Sequence, residues 1–155
     1  MINHPSNVGS FKGFLRVLSS ALWLLPLISL TAWAGPMVGE KAPNFEVVDT
    51  QGITHRLSDF EGQTLILEWT NHDCPFVRKH YSSGNMQQQQ KMAREEHGVV
   101  WLTVISSSPG TQGHVSPKAA DELTRSRNAS PNAVLLDEDG IMGRAYDARV
   151  TPHMY

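Results

Sequence analysis

In the stretch Leu65-Ile66-Leu67-Glu68-Trp69-Thr70-Asn71-His72-Asp73-Cys74-Pro75-Phe76-Val77-Arg78-Lys79-His80-Tyr81 an apolar run stops at a polar turn, and the turn delivers a Cys-Pro pair to a helix start. Residues 64–70 are β-branched and apolar, the pattern of a buried central strand. Pro75 suits the first helical position, where its missing N–H costs nothing. Cys74 is the one cysteine of the chain. A thiol between a strand end and a helix start is placed where free N–H groups and aligned peptide dipoles stabilise a thiolate.

Downstream, the helix begun at Pro75 is expected to end at Gly84, with Asn85 capping a second helix whose Met86, Gln89 or Gln90, Ala93 and His97 share one face. The glutamine run 87–90 reads as a solvated helix side. Residues 99–105, Val-Val-Trp-Leu-Thr-Val-Ile, form a second strand, apolar on both faces as in a parallel sheet covered by helices. Ser116-Pro117 opens a third helix with Ala119, Ala120 and Leu123 inward, and 133–136 is a third strand. A tight turn, Asp137-Glu138-Asp139-Gly140, precedes a short helix over 141–148 with Ile141, Ala145 and Tyr146 inward. Upstream, 45–48 and 53–57 read as two strands of a hairpin around Asp49-Thr50-Gln51-Gly52, followed by a turn capped by Ser58. Strands near 65, 100 and 134, separated by helices, give right-handed β-α-β units and an α/β core.

The 155 residues are enough for one domain, with 40% hydrophobic and 18% charged residues. A net charge of −2 gives no basic face for nucleic acid. The first 34 residues carry Lys12 and Arg16 and no acid. An apolar run over 17–30 leads to Ala32-Trp33-Ala34, small residues at the positions that precede a cleavage point at Gly35. Residues 1–34 are therefore expected to be a signal peptide and 35–155 the domain. The protein is expected to be exported, periplasmic or extracytoplasmic, and membrane-anchored only if the segment is uncleaved. With one cysteine no internal disulfide can form.

Four motifs in order carry a resemblance. Gly39-x-x-Ala42-Pro43-x-Phe45, with Gly52 and Leu57-Ser58, resembles an N-terminal hairpin. Residues 69–77 resemble a strand-to-active-site turn. Val134-Leu135-Leu136-Asp137-x-x-Gly140 resembles a third strand and its turn, and Arg144-Ala145-Tyr146-x-Ala148-x-x-Thr151-Pro152 the helix and loop that lead to a cis-proline. Together, over 38–155, they resemble the thioredoxin-like superfamily in its redoxin, or AhpC/TSA, branch, with the TlpA-like thiol-disulfide oxidoreductases nearest in pattern. The resemblance implies a thioredoxin-like α/β fold: a central mixed sheet flanked by helices, with an N-terminal β-hairpin extension. It also implies two antiparallel strands and a helix after the cis-proline. The chain stops at Tyr155, so the expected domain is C-terminally incomplete, lacking the last hairpin and helix. The family's Cys-x-x-Cys reads Cys74-Pro75-Phe76-Val77 here, with Val77 at the resolving position. A peroxidase pattern would place a threonine three residues before the cysteine, and Thr70 is four before it.

Cys74 is the catalytic candidate. A cysteine of pKa about 8.5 is mostly protonated at neutral pH, so reactivity needs a lowered pKa. The cations His72, Arg78, Lys79 and His80 favour that and Asp73 opposes it; a buried inert cysteine is the competing reading. Trp69, Pro75, Thr151 and Pro152 are the substrate-binding candidates, although Trp69 at a strand end also reads as core. Glu68 is either a buried proton acceptor, as the resemblance implies, or an outward solvated carboxylate. His153 either faces the thiol or is an exposed loop histidine. Glu68, His72, Arg78 and His153 are thus the candidates for tuning the thiol.

The expected function is redox chemistry at one cysteine: thiol-disulfide exchange, or antioxidant peroxide reduction with an external thiol. Expected partners are an external thiol reductant or a disulfide-containing protein, not nucleic acid, and no cofactor. The alternative is a redox-inactive thioredoxin-like module that binds a peptide or copper. His72, His80, His97, His114 and His153 invite the metal reading, but no pair has HxxxH or HExxH spacing, and no metal is expected.

Overall fold

The computed structural model describes residues 35–155, so the expected signal segment lies outside the described residues. Strands β3 (Leu65–Trp69) and β4 (Val100–Ile105) form the parallel centre of the sheet, in register from Leu65 opposite Val100 to Trp69 opposite Val104. Strand β5 (Ala133–Leu136) joins β4 in parallel, and β6 (His153–Met154) runs antiparallel along the other side of β3, giving the order β5-β4-β3-β6. The pairing of β6 continues through Tyr155, which exchanges both backbone hydrogen bonds with Leu67 at 3.0 Å.

Two separate apolar layers explain why β3 and β4 are hydrophobic on both sides. One layer holds helices α1 (Pro75–Ser82), α2 (Asn85–Glu95) and α3 (Pro117–Ser126). Val77, Tyr81, Met86 and Ala93 pack there on Trp101, and Val115 and Ala120 pack on Ile105 and Val134. The other face, Leu67, Trp69, Leu102, Val104 and Leu135, is covered by Phe45, Val47, Met142 and Tyr146. Alternation along β3 thereby sends Trp69 to one layer and Glu68 to the other. Strands β1 (Glu46–Val48) and β2 (Thr54–Arg56) form the antiparallel hairpin, followed by a 3-10 turn at Leu57–Phe60. The hairpin is tied to β5 by the Thr50 N–H, which donates to Val134 O at 3.0 Å. This is the mixed sheet with flanking helices and hairpin extension that the resemblance implied. Among the described residues no helix is long and apolar enough to cross a membrane.

Several local expectations are corrected. Helix α1 ends at Ser82, and Gly84, at φ 75°, is the N-cap of α2. Asn85 is the first residue of α2 and not its cap; its side chain bonds His80 Nδ1 at 2.9 Å. Helix α2 stops at Glu95, which leaves His97 exposed beyond it. The glutamine run is not a uniformly solvated side. Gln90 is fully buried, and Gln87 donates to Tyr81 O at 2.8 Å and to Arg127 O at 2.6 Å. Helix α4 (Ile141–Ala145) is shorter than expected; Tyr146 is buried and Ala145 packs on the core as expected, but Ile141 is 53% exposed and Met142 and Gly143 are buried in its place. The Asp137 carboxylate holds that pair inward by accepting from the Met142 and Gly143 N–H groups at 3.0 and 2.8 Å.

Candidate active site

The polar turn after β3 is built by Asn71. Its carbonyl accepts the Cys74 N–H at 3.0 Å, and its side-chain Oδ1 accepts the Asp73 N–H at 2.9 Å, an Asx turn. Gly113 lies against that side chain: a Cβ there would fall 2.4 Å from Asn71 Cγ, and its φ of +85° already disfavours other residues. Cys74 is the N-cap of α1, with extended backbone (φ −66°, ψ 127°), Pro75 following at the first helical position, and its own carbonyl accepting Arg78 N–H at 3.0 Å.

The thiol meets the far end of the chain. Cys74 is half-buried, and its Sγ donates to Thr151 O at 3.1 Å. The Thr151–Pro152 peptide is cis. Four expected residues, Cys74, Pro75, Thr151 and Pro152, are thus brought to one place. The Cys74 pKa is lowered, first by the Thr151 side chain, then by the backbone N–H groups of Val77 and Phe76 and the charge of Arg78, against a desolvation cost. The bond to the Thr151 carbonyl is available to the neutral thiol alone and works the other way.

The remaining candidates sit as follows. Glu68 is fully buried, which removes the outward reading. Its Oε1 accepts from the Tyr81 hydroxyl at 2.8 Å; its Oε2 accepts from Trp101 Nε1 at 2.9 Å, Gln90 Nε2 at 3.0 Å and Thr103 Oγ1 at 3.3 Å. Burial raises the Glu68 pKa against the pull of these four bonds, and none of the four partners is Cys74. Arg78 is exposed on α1. His72 lies on Asp73, Nε2 to Oδ1 3.4 Å. His153 is not in a loop: it belongs to β6, is half-buried, and its ring packs 4.5 Å from the Tyr155 ring. Trp69, offered as a substrate contact, is only 3% exposed and is core. Its ring packs on Tyr146 and Tyr155 at 5.4 and 5.3 Å, and its indole N–H donates to Ser106 Oγ at 2.9 Å.

Sequence reasoning gave no role to Tyr81 or Ser106, and placed Gln90 only as an alternative to Gln89 on one face of α2. Nor did it single out Phe76, 66% exposed beside Cys74, or Val150, 62% exposed beside Thr151. An aromatic at an exposed position of the first helical turn was the one available signal. Among the described residues no group of three or more His, Cys, Asp and Glu side chains is arranged to hold a metal ion.

A half-buried cysteine thus sits at a helix N-cap, facing a cis-proline loop across the end of a mixed sheet. The model of the AhpC/TSA family matches residues 38–155, and the chain belongs to that family. Solved structures agree on the fold. An uncharacterized conserved protein from Geobacillus kaustophilus superposes with a TM-score of 0.65 at 23% identity over 76% of this chain, which spans 61% of that protein. A secreted Mycobacterium tuberculosis disulfide oxidoreductase homologous to E. coli DsbE gives 0.55 at 17% identity, covering 71% of this chain and 72% of its own. The exposed lipoprotein thioredoxin Etrx1 of Streptococcus pneumoniae gives 0.52 at 26% identity, covering 72% and 78%. No curated protein matches the chain.

Proposed function

We propose that this is an exported redox protein whose Cys74 performs thiol-disulfide exchange with an external thiol as reductant. The observation that carries the reading is the Cys74 thiol at the N-cap of α1, its pKa lowered by Thr151 and the first helical turn. The thiolate attacks one sulfur of a substrate disulfide R′S–SR″, forming Cys74–S–SR′ and expelling R″S⁻. An external thiolate RS⁻ then attacks Sγ of Cys74, expelling R′S⁻, and a second RS⁻ attacks the new disulfide. The products are RSSR and the Cys74 thiolate, so two RSH reduce one disulfide. Val77 at the resolving position removes the Cys-x-x-Cys form of the second step. Pro75, Thr151 and Pro152 form the surface that receives the substrate, and Arg78 supplies a nearby cation. Glu68, His72 and His153 act only through their packing partners. The peroxide cycle uses the same thiolate: Cys74 becomes a sulfenic acid that the external thiol reduces. Export is supported by the signal-like pattern of residues 1–34 and by relatives described as secreted and exposed.

The test is the rate of Cys74 alkylation by iodoacetamide against pH. A half-maximal rate well below pH about 8.5 is expected, and a midpoint at or above it would sink the catalytic reading in favour of a redox-inactive binding module. Consumption of a model disulfide against consumption of hydrogen peroxide then decides which oxidant the thiolate serves.

A further inference from the structure

The loop after β4, residues 106–115, closes on the turn that carries the thiol. Its two ends are fixed: Ile105 before it and Val115 at its close are buried in one apolar cluster. Between them the loop is tied to the turn after β5. The Ser108 hydroxyl donates to Glu138 O at 2.6 Å, and His114 Nε2 lies 3.2 Å from Glu138 Oε1. The loop is also folded on itself, with the Thr111 N–H donating to Ser108 O at 3.0 Å and the His114 N–H to Thr111 O at 3.2 Å. Gly113, buried within this braced loop, lies directly against Asn71. We infer that Gly113 is a positioning residue for Cys74: by closing on Asn71 without a side chain, it lets Asn71 hold the turn that aims the sulfur. The inference rests on the proposed chemistry of Cys74 and names what keeps its thiol in place.

The contact has no slack. A Cβ on Gly113 would fall 2.4, 2.5 and 2.6 Å from Asn71 Cγ, Oδ1 and Nδ2, well inside the roughly 3.5–4.0 Å of an ordinary contact. A long side chain could turn away, but both polar atoms of this short one are engaged. Oδ1 accepts the Asp73 N–H at 2.9 Å, and Nδ2 donates to Gln112 O at 3.4 Å. Displacing the amide therefore breaks the Asx turn and disturbs the Asn71 carbonyl, which accepts the Cys74 N–H at 3.0 Å. That bond holds the Cys74 backbone at the N-cap (φ −66°, ψ 127°), from which Sγ reaches Thr151 O at 3.1 Å. Gly110, in the same loop, separates this contact from backbone strain. Its φ of +81° is close to the +85° of Gly113, yet a Cβ there meets nothing within 4 Å. Alanine strains the backbone alike at either position, and only at Gly113 does it strike Asn71.

The test is the pH midpoint of Cys74 alkylation by iodoacetamide in the full chain, compared among the wild type, Gly113→Ala, Gly110→Ala, Asn71→Ala and the double variant Asn71→Ala/Gly113→Ala. Urea unfolding of each shows that the protein being alkylated is folded. Gly113→Ala and Asn71→Ala are each expected to raise the midpoint by about one pH unit, and Gly110→Ala to leave it within about 0.2. In the double variant the two changes act on one contact, so the midpoint stays where Asn71→Ala alone puts it. Gly110→Ala carries the backbone strain without the contact and so shows what a purely structural loss does to the thiol. An unmoved midpoint in Gly113→Ala or Asn71→Ala, an equal rise in Gly110→Ala, or a further rise in the double variant would each overturn the inference while leaving Cys74 reactive. Should Gly113→Ala alone fail to fold, Asn71→Ala and the double variant, in which the obstructing amide is gone, decide by the same outcomes. A wild-type midpoint at or above about 8.5 would instead remove the proposed function, and this inference with it.

Discussion

Thiolate formation at Cys74 is favoured by two kinds of group, and they differ in how far solvent weakens them. The Thr151 side chain and the Val77 and Phe76 N–H groups lower the pKa as close neighbours of a half-buried sulfur. Arg78 acts by charge from an exposed position, where salt screens it over about 10 Å at ordinary ionic strength. Thr151→Val is therefore expected to slow Cys74 alkylation at pH 7 more than Arg78→Gln does. The Arg78→Gln effect should stay under about threefold and vanish in 1 M salt. Stopped-flow alkylation of the two variants at low and high salt checks both. An Arg78→Gln effect larger than that of Thr151→Val would reverse the assignment.

Among the elements, Glu68 joins four at once. It sits on β3 and accepts from Tyr81 on α1, Gln90 on α2, and Trp101 and Thr103 on β4. Gln90 extends the tie by accepting the Ser130 N–H at 2.8 Å. Glu68→Ala leaves several buried donors unpaired and is expected to destabilise the fold by about 3 kcal/mol or more, as read from urea unfolding. The cap of α3 is a smaller matter. Ser116 Oγ accepts the Ala119 N–H at 3.3 Å in an exposed setting, so Ser116→Ala should cost about 1 kcal/mol or less. The same elements divide what could be read locally from what could not. Proline at the first position of α1 and α3, and the apolar runs of β3 and β4, announce themselves in neighbouring residues. The burial of Met142 and Gly143 in place of Ile141 did not, because it is set by the buried Asp137 carboxylate and not by the apolar spacing of the five residues of α4.

At the scale of the molecule, two buried carboxylates pull stability in opposite directions with pH. Glu68 has a raised pKa in the folded state, so its favourable share is fully present below the unfolded value near 4.5 and is lost as pH rises through the folded pKa. Glu68→Gln should accordingly gain on the wild type as pH rises across that window. Asp49 is the reverse. Burial raises its pKa, but hydrogen bonds from His55, Ile53 N–H and Gln51 N–H, with the His55 charge, outweigh burial and hold it low. Its contribution is present above the unfolded value of 3.8 and is lost as pH falls through the folded one, so the deficit of Asp49→Asn should shrink toward acid. Urea midpoints of both variants between pH 3 and 8 test the two signs.

By itself the sequence determined the order of strands and helices, the α/β class, and the placing of Cys74 between β3 and α1. Each of these follows from residues a few positions apart: apolar runs that make strands, and a proline that opens a helix. The tertiary structure alone decided what surrounds the sulfur. Thr151 is 77 residues from Cys74, Gln90 is 22 from Glu68, and Ser106 is 37 from Trp69. Such pairings depend on how the crossovers stack helices on the sheet. Glu68 shows the division most plainly, since a lone acid in an apolar strand is compatible with solvent or core until α1 and α2 close over it with their donors.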